Sequence, residues 1–80
     1  MDIKIRVIEF FKSQGKLPNL DSEIMKFNYL DSGLIDSMKL VEMIVIFEDE
    51  FKIKFTHNEL QSNEFRTVGG LINLINSHRV

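Results

Sequence analysis

The strongest constraint in this sequence is the spacing of apolar residues between positions 37 and 51. One set recurs at i, i+4, i+7 and i+11 and consists of Leu40, Ile44, Phe47 and Phe51. That spacing places side chains on one face of an α-helix. A second set has the same spacing on the opposite side and consists of Met38, Glu42, Val45 and Asp49. The pattern predicts a helix over 37–51 with one face in a core and the other toward solvent or a partner.

Two other segments have the length and periodicity of main helices. Residues 2–13 place Ile3, Val7 and Phe10 on one face, and Gly15 beyond them is suited to a left-handed C-cap. The last helix opens at Thr67 as N-cap and runs to about residue 77, with its apolar residues on one face. These two helices, together with 37–51, supply three apolar faces that can pack on each other.

The segments between the helices are short on regular structure. Residues 16–36 form a long connection whose many apolar side chains predict a loop packed on the domain. Residues 53–55 are expected to be a short extended link. A capping-box pattern from Thr56 to Glu59 starts a short helix that ends near Ser62. The prediction is an all-α fold with three main helices, one short helix and a long first loop.

Length and composition limit the classes of protein that this chain can belong to. Eighty residues make one domain, expected to span residues 1–80, and 44% hydrophobic content suits a globule. A net charge of −2, with no strong cluster of lysine or arginine, argues against nucleic-acid binding. The chain lacks cysteine, a signal-peptide pattern and any run of about 18 apolar residues. We therefore expect a cytoplasmic protein, without a membrane span.

The sequence offers little material for a catalytic or metal site. His57 and His78 stand alone, without partners at metal-ligand spacing, and ordinary surface roles are expected for both. Glu48, Asp49 and Glu50 are consecutive, so they cannot share one helix face as a catalytic carboxylate pair. Because no nucleophile–base pair can be assembled either, the chain is not expected to be an enzyme.

Ser37 is the residue whose position suggests chemistry. A serine at the start of a helix is, in the ordinary case, an N-cap. Ser37, however, follows a Gly-Leu-Ile-Asp turn and precedes the strongest helix of the chain. A hydroxyl exposed there suits a phosphate ester, because free N–H groups and the helix dipole stabilise negative charge. Both interpretations stay open on these residues alone.

The motif around Ser37 resembles that of a known family. Residues 33–38, Gly-Leu-Ile-Asp-Ser-Met, resemble the Gly-x-x-Asp-Ser-Leu/Met attachment motif of phosphopantetheine-dependent carrier proteins, the acyl carrier family. The resemblance continues through the apolar frame and acidic end of 40–51 and into Thr67-Val68-Gly69. It covers nearly the whole chain and implies a four-helix bundle of acyl-carrier type.

The resemblance also implies a cofactor and partners. A phosphopantetheinyl transferase would join the 4'-phosphopantetheine of coenzyme A to Ser37, with Asp36 helping to position the serine. The arm would hold acyl or aminoacyl groups as thioesters, loaded by a ligase and passed to downstream synthases or transferases. The chain would act as a monomer. The expected partner face consists of Met38, Lys39, Glu42, Val45, Glu48 and Asp49.

Two positions depart from the family pattern. Lys39 stands where carriers of fatty acid biosynthesis commonly have an acid, and Gly70 stands where the family often has an acid in the first turn of the last helix. The motif also resembles that of D-alanyl and other stand-alone aminoacyl carriers. These features favour a dedicated lipid, polyketide, peptide or cell-envelope pathway. The alternative is a small helical interaction domain in which Ser37 is only a helix N-cap.

Overall fold

The computed structural model describes residues 2–78, which form an all-α fold, as the sequence predicts. Its helices are α1 (Ile3–Gln14), α2 (Asp21–Lys26), α3 (Ser37–Phe51), α4 (His57–Gln61), the 3₁₀ helix Asn63–Arg66, and α5 (Val68–His78). Within the described residues there is no strand, only an isolated antiparallel bridge between Asn28 and Thr67. The three main helices and the short α4 lie within about one residue of their predicted bounds.

Helix α1 begins one residue later than predicted because Asp2 is its cap. The Asp2 carboxylate accepts a hydrogen bond from the Ile5 N–H at 3.3 Å, which satisfies one free donor of the first turn. The predicted left-handed C-cap at Gly15 is wrong. Gly15 has extended backbone angles, φ 166° and ψ −161°, while its N–H still donates to the Phe11 carbonyl. The chain therefore leaves α1 directly in an extended course toward Pro18.

The long connection from 16 to 36 contains a helix that the sequence prediction missed. Helix α2 has only six residues, so apolar periodicity could not reveal it, and its cap residue Leu20 makes no side-chain hydrogen bond. Ile24 is buried, and the Asp21 carboxylate pairs with Lys4 of α1 at 2.9 Å. The connection is packed on the domain, as its apolar content predicts.

The core face of α3 is rotated slightly from the predicted one. Phe47 and Phe51 are buried as expected, but Leu40 and Ile44 are only half-buried, and Met43 is fully buried. Lys52, in the left-handed region at φ 57°, ends the helix. Because Met43, Phe47 and Phe51 follow i, i+4, i+8, the buried stripe is centred on Phe47, where Phe10 of α1 packs with ring centroids 5.1 Å apart.

The predicted capping box of α4 is confirmed. The Thr56 hydroxyl accepts from the Glu59 N–H, and the Glu59 carboxylate accepts from the Thr56 N–H. Thr67 begins α5 as predicted, and its hydroxyl accepts from the Gly70 N–H at 3.1 Å. The 3₁₀ helix lies so close to α5 that a Cβ at Gly70 would overlap the Glu64 carbonyl group. This close packing explains why glycine stands at position 70, where the chain departs from the family pattern.

Aromatic side chains fill the centre of the bundle. Phe11 and Tyr29 have ring centroids 4.7 Å apart, and Phe55 and Phe65 pack edge to face at 5.4 Å. All four side chains are buried, and their size compensates for the small number of residues available to a short chain. None of the helices in residues 2–78 has the length and apolar character required to cross a bilayer.

Candidate attachment site

The start of α3 is capped by Asp36, not by Ser37. The Asp36 Oδ1 accepts a hydrogen bond from the Lys39 N–H at 2.8 Å, and its carbonyl accepts from the Leu40 N–H at 2.8 Å. Ser37 is the first residue with helical geometry, and its side chain is exposed. The interpretation of Ser37 as an N-cap is therefore wrong, because Asp36 performs that role. The Ser37 hydroxyl is left accessible at the positive end of a fifteen-residue helix.

The turn that leads into α3 is stabilised by a glycine and by an asparagine side chain. Gly33 has φ +84°, a region where a side chain would be strained, so the turn requires glycine. Upstream, the Asn28 side chain accepts from the N–H groups of Leu30 and Asp31 at 3.1 and 2.8 Å. Side chains of this type stabilise turns in this way. The turn therefore has a defined path and does not behave as a flexible linker.

Tyr29 fastens this turn to the rest of the domain. Its side chain is completely buried, and its hydroxyl donates to the Phe65 carbonyl of the 3₁₀ helix. Burial raises the pKa of the Tyr29 phenol far above its usual value, so the hydroxyl remains a donor. The Tyr29 N–H donates to the Arg66 carbonyl, and its carbonyl accepts from the Ile35 N–H, both at 3.1 Å. The backbone of Ile35 is thus held by the buried Tyr29, and Ser37 follows Ile35 by two residues.

Three of the exposed apolar side chains of α3 lie on the outer face that follows Ser37. Met38, Val41 and Val45 are 76%, 62% and 60% exposed. Exposure of Met38 and Val45 was predicted from the spacing of the outer face, whereas Val41 was missed. The sequence contained the signal for Val41, because positions 38, 41 and 45 have the helical spacing i, i+3, i+7. The predicted outer face did not include position 41. Ser37, Met38, Val41 and Glu42 border a shallow, open depression on α3, so the serine and the apolar side chains share one surface.

The remaining predicted partner residues differ in their surroundings. Lys39 and Asp49 are exposed, and Asp49 lies 3.9 Å from the Lys52 ammonium group. Glu48 is half-buried, and its Oε2 accepts from the Phe55 N–H at 2.9 Å. Glu48 therefore has a structural contact, because it satisfies a donor in the 53–55 link. Lys39, two positions after Ser37, projects to a different side of the helix from the serine.

The histidines and carboxylates do not assemble a metal site in the part of the chain that the structure describes. His57 is exposed at the start of α4. His78 is half-buried, with its Nε2 2.8 and 2.9 Å from the two carboxylate oxygens of Glu59. This contact joins the end of α5 to α4, so His78 has a structural partner that the sequence did not reveal.

The surroundings of Ser37 fit a phosphate ester carrying an apolar chain. The hydroxyl is exposed, and the first turn of α3 supplies the partial positive charge that favours a phosphate. The adjoining helix surface offers exposed apolar side chains from Met38 and Val41. Asp36 brings the nearest negative charge, but one of its oxygens is committed to the Lys39 N–H.

Comparison with known proteins places these residues in a family. A family model described as the phosphopantetheine attachment site matches residues 28–75. The chain is similar to three D-alanyl carrier proteins. They are from Streptococcus sanguinis, Streptococcus gordonii and Streptococcus pyogenes, at 34%, 33% and 36% identity. Each alignment covers 73 residues, which are 90% of this chain and 89% of the relative. No solved structure gives a significant match.

The matched region contains the parts of the site described above. Residues 28–75 include the turn anchored by Tyr29, the exposed Ser37, the whole of α3 and most of α5. The family model, the three relatives and the all-α fold agree on one assignment. This chain belongs to the family of carrier proteins that bear a covalently attached 4'-phosphopantetheine.

Proposed function

We propose that the 4'-phosphopantetheine is attached to the Oγ of Ser37. The observation that carries this proposal is the position of Ser37 as an exposed first residue of α3, beside a cap that leaves its hydroxyl free. Ser32, the other serine of the turn, accepts a hydrogen bond from the Leu34 N–H and does not begin a helix. The family match over 28–75 includes both serines, so the geometry supports the choice between them.

The attachment reaction requires a partner that activates the serine. The Ser37 Oγ would attack the pyrophosphate of coenzyme A, forming one P–O bond while the P–O bond to adenosine 3',5'-bisphosphate breaks. The serine proton passes to a base of the phosphopantetheinyl transferase. Asp36 helps indirectly, because its hydrogen bond to the Lys39 N–H fixes the first turn of α3 and hence the direction of the Ser37 side chain.

The proposed cargo is an aminoacyl group, and D-alanine in particular. This follows from the three relatives, which are named D-alanyl carrier proteins and align over 90% of this chain. The arm supplies a thiol, which holds the cargo as a thioester in a chain that has no cysteine of its own. In this role residues 1–80 form one carrier domain, a monomer that performs no reaction itself and serves a cell-envelope pathway.

The proposed partners act at the same end of the molecule. A transferase attaches the arm, a ligase loads it, and a downstream enzyme accepts the cargo, so each must approach Ser37. The outer face of α3 begins at that residue and carries exposed Met38 and Val45 with Glu42 and Asp49. We include this face in the proposal as the surface that the partners contact.

Intact mass spectrometry tests the attachment. The chain is incubated with coenzyme A and a broad-specificity phosphopantetheinyl transferase, and is expected to gain the mass of one phosphopantetheine. Ser37→Ala is expected to abolish the gain, whereas Ser32→Ala is a matched control that should retain it. Modification that survives in Ser37→Ala would show that the arm is attached elsewhere.

Subsequent incubation of the modified chain with ATP, D-alanine and a D-alanine-activating ligase tests the cargo, and a mass gain of one alanyl group is expected.

A further inference from the structure

Two segments that are far apart in the sequence are joined just before the turn that leads to Ser37. Residues 27–29 and 66–68 pair with each other in a short antiparallel arrangement, which we call the clamp. The Tyr29 N–H donates to the Arg66 carbonyl at 3.1 Å, and a second backbone bond of the same length joins the two segments. The isolated bridge of the fold lies between these bonds. The turn therefore starts from a position that is fixed on the 3₁₀ helix and α5.

The hydroxyl of Tyr29 adds a buried side-chain bond beside the clamp. It donates to the Phe65 carbonyl, next to the second segment. Tyr29 is the single tyrosine of the chain, whereas the other seven aromatic residues are phenylalanines. A phenylalanine at position 29 would also fill the core and pack on the Phe11 ring, whose centroid is 4.7 Å away. Packing alone therefore does not account for the hydroxyl, which would cost free energy in the core if it had no acceptor.

We propose that the Tyr29 hydroxyl is a positioning group for attachment of the arm to Ser37. This inference rests on the proposed attachment. The connection between the two residues runs through the backbone, because the Tyr29 carbonyl accepts from the Ile35 N–H at 3.1 Å. Ile35 is 2% exposed, and Asp36 directly after it caps α3. A displacement of Tyr29 is therefore passed to the start of α3 and to the Ser37 side chain.

Loss of this hydroxyl should affect the transfer step more than the binding of the transferase. The Ser37 Oγ must be aligned with the pyrophosphate of coenzyme A, and a displacement of about 1 Å can slow a reaction by about a hundredfold. The proposed partner face, in contrast, is on the outer side of α3 and does not include the clamp. Tyr29→Phe should therefore lower the rate of transfer and leave the affinity for the transferase nearly unchanged.

Single-turnover kinetics with coenzyme A and excess transferase test this role, once mass spectrometry has established attachment in the parent chain. The maximal rate should fall about tenfold in Tyr29→Phe, while the transferase concentration that gives half of that rate changes less than about twofold. The variant keeps the ring, so its helical circular dichroism should match that of the parent. His78→Ala is the control, because it removes a contact with Glu59 at the other end of the bundle. It should lower the unfolding temperature without slowing the transfer.

Amide hydrogen exchange shows whether the effect is local to the turn. The Ile35 N–H should exchange about tenfold faster in Tyr29→Phe than in the parent, because the opening of the turn requires less free energy. In His78→Ala the same N–H should keep its parental rate. Transfer at the parental rate in Tyr29→Phe, equal slowing in His78→Ala, or slower transfer with unchanged exchange at Ile35 overturns the positioning role and leaves the attachment standing. A parent chain that gains no mass at Ser37 overturns the attachment, and the positioning role with it.

Discussion

At the scale of single residues, Asp36 and Ser37 have separate roles at the start of α3. Asp36 caps the helix, and Ser37 presents an exposed hydroxyl. The Asp36 carboxylate accepts from the Lys39 N–H and caps α3, so the helix does not need the Ser37 hydroxyl as its cap. A serine that caps its own helix would have its oxygen occupied by a backbone donor. The division leaves the Ser37 hydroxyl available for chemistry while the helix keeps its cap.

Substitutions at these two positions should separate stability from attachment. Asp36→Ala is expected to lower the free energy of unfolding by about 1 kcal/mol, because the cap is lost, while Asp36→Asn retains an oxygen acceptor and should cost less. Ser37→Ala should change stability by less than about 0.5 kcal/mol, since Ser37 is exposed and is not the cap. Urea denaturation of the three variants measures these differences. A loss of about 1 kcal/mol in Ser37→Ala alone would contradict the assignment of the cap.

The rate of attachment supplies a second measurement on the same variants. Asp36→Asn keeps the geometry of the first turn but removes its charge. If Asp36 acts by positioning Ser37, the transferase should modify Asp36→Asn faster than Asp36→Ala. Equal, strong slowing of both variants would show that the transferase uses the negative charge itself.

At the scale of the element, α3 has two faces that differ in burial. Met43, Phe47 and Phe51 pack inward, whereas Met38, Val41 and Val45 remain largely exposed. The helix is therefore apolar on more of its circumference than the core requires. An exposed apolar centre with acids at its edge suits a small and transient interface. Glu48, which is also predicted to lie on the partner face, has a structural contact as well, because its carboxylate accepts from the Phe55 N–H.

The outer face of α3 should be needed for transfer but not for folding. Val45→Asp and Glu42→Lys are expected to slow loading by the cognate ligase about tenfold each, with unchanged helical circular dichroism and unfolding midpoint. The effect of Glu42→Lys should weaken with added salt, because exposed charges are screened over about 8 Å at physiological ionic strength. Lys54→Glu, an exposed charge reversal away from this face, serves as a control. Loading of both variants at the parental rate would place the partner surface elsewhere.

At the scale of the whole molecule, aromatic packing holds the helices together. Phe47 is completely buried, and its ring lies 5.1 Å from that of Phe10 and 5.8 Å from that of Phe51. Tyr29 extends the same core toward the 3₁₀ helix through its ring contact with Phe11 and its hydrogen bond to Phe65. The core thus reaches from α1 to the turn that precedes Ser37.

Removal of a central ring should be severe in so small a domain. Phe47→Ala is expected to lower the free energy of unfolding by about 3–5 kcal/mol, because it leaves a cavity among α1 and α3 side chains. Ile46→Ala, a truncation at a 37% exposed neighbour, should cost much less. Chemical denaturation measures both variants. A loss below about 1 kcal/mol for Phe47→Ala would contradict the packing described here.

A polar contact closes the bundle at its other end. The Glu59 carboxylate accepts from the Thr56 N–H at 2.7 Å and lies 2.8 Å from His78 Nε2, so it joins the α4 cap to the end of α5. The backbone hydrogen bond from Thr56 is the main cause that lowers the pKa of Glu59 below its usual value of 4.5, and His78 lowers it further. The folded state therefore favours the ionised carboxylate.

This shift predicts how stability responds to acid. Because the folded pKa is lower than the unfolded one, the contribution of Glu59 is complete above about pH 4.5 and is lost as the pH falls through the folded pKa. Glu59→Gln should flatten that part of the stability profile, and Glu64→Gln, at an exposed position of the 3₁₀ helix, should not. Thermal unfolding between pH 3 and pH 7 checks this. Parallel profiles for the parent and Glu59→Gln would contradict it.

Features that depend on local spacing could be predicted from the order of the amino acids. The bounds of α3, the capping box of α4 and the start of α5 at Thr67 follow from side chains within a few residues of each other. The same is true of the candidate site, because the 33–38 motif is contiguous along the chain. Capping hydrogen bonds and apolar periodicity involve residues that are close together along the chain, so these features can be predicted without the tertiary contacts.

Features that depend on distant partners could not be predicted before the fold was known. Helix α2 is too short to show periodicity and is held by its contacts, including the Lys4–Asp21 pair. Met43 entered the core ahead of Leu40 because the neighbouring elements set the rotation of α3. The Tyr29–Phe65 bond and the His78–Glu59 pair join residues 36 and 19 positions apart. Such pairs form only when the bundle closes, and the anchored turn that presents Ser37 depends on the first of them.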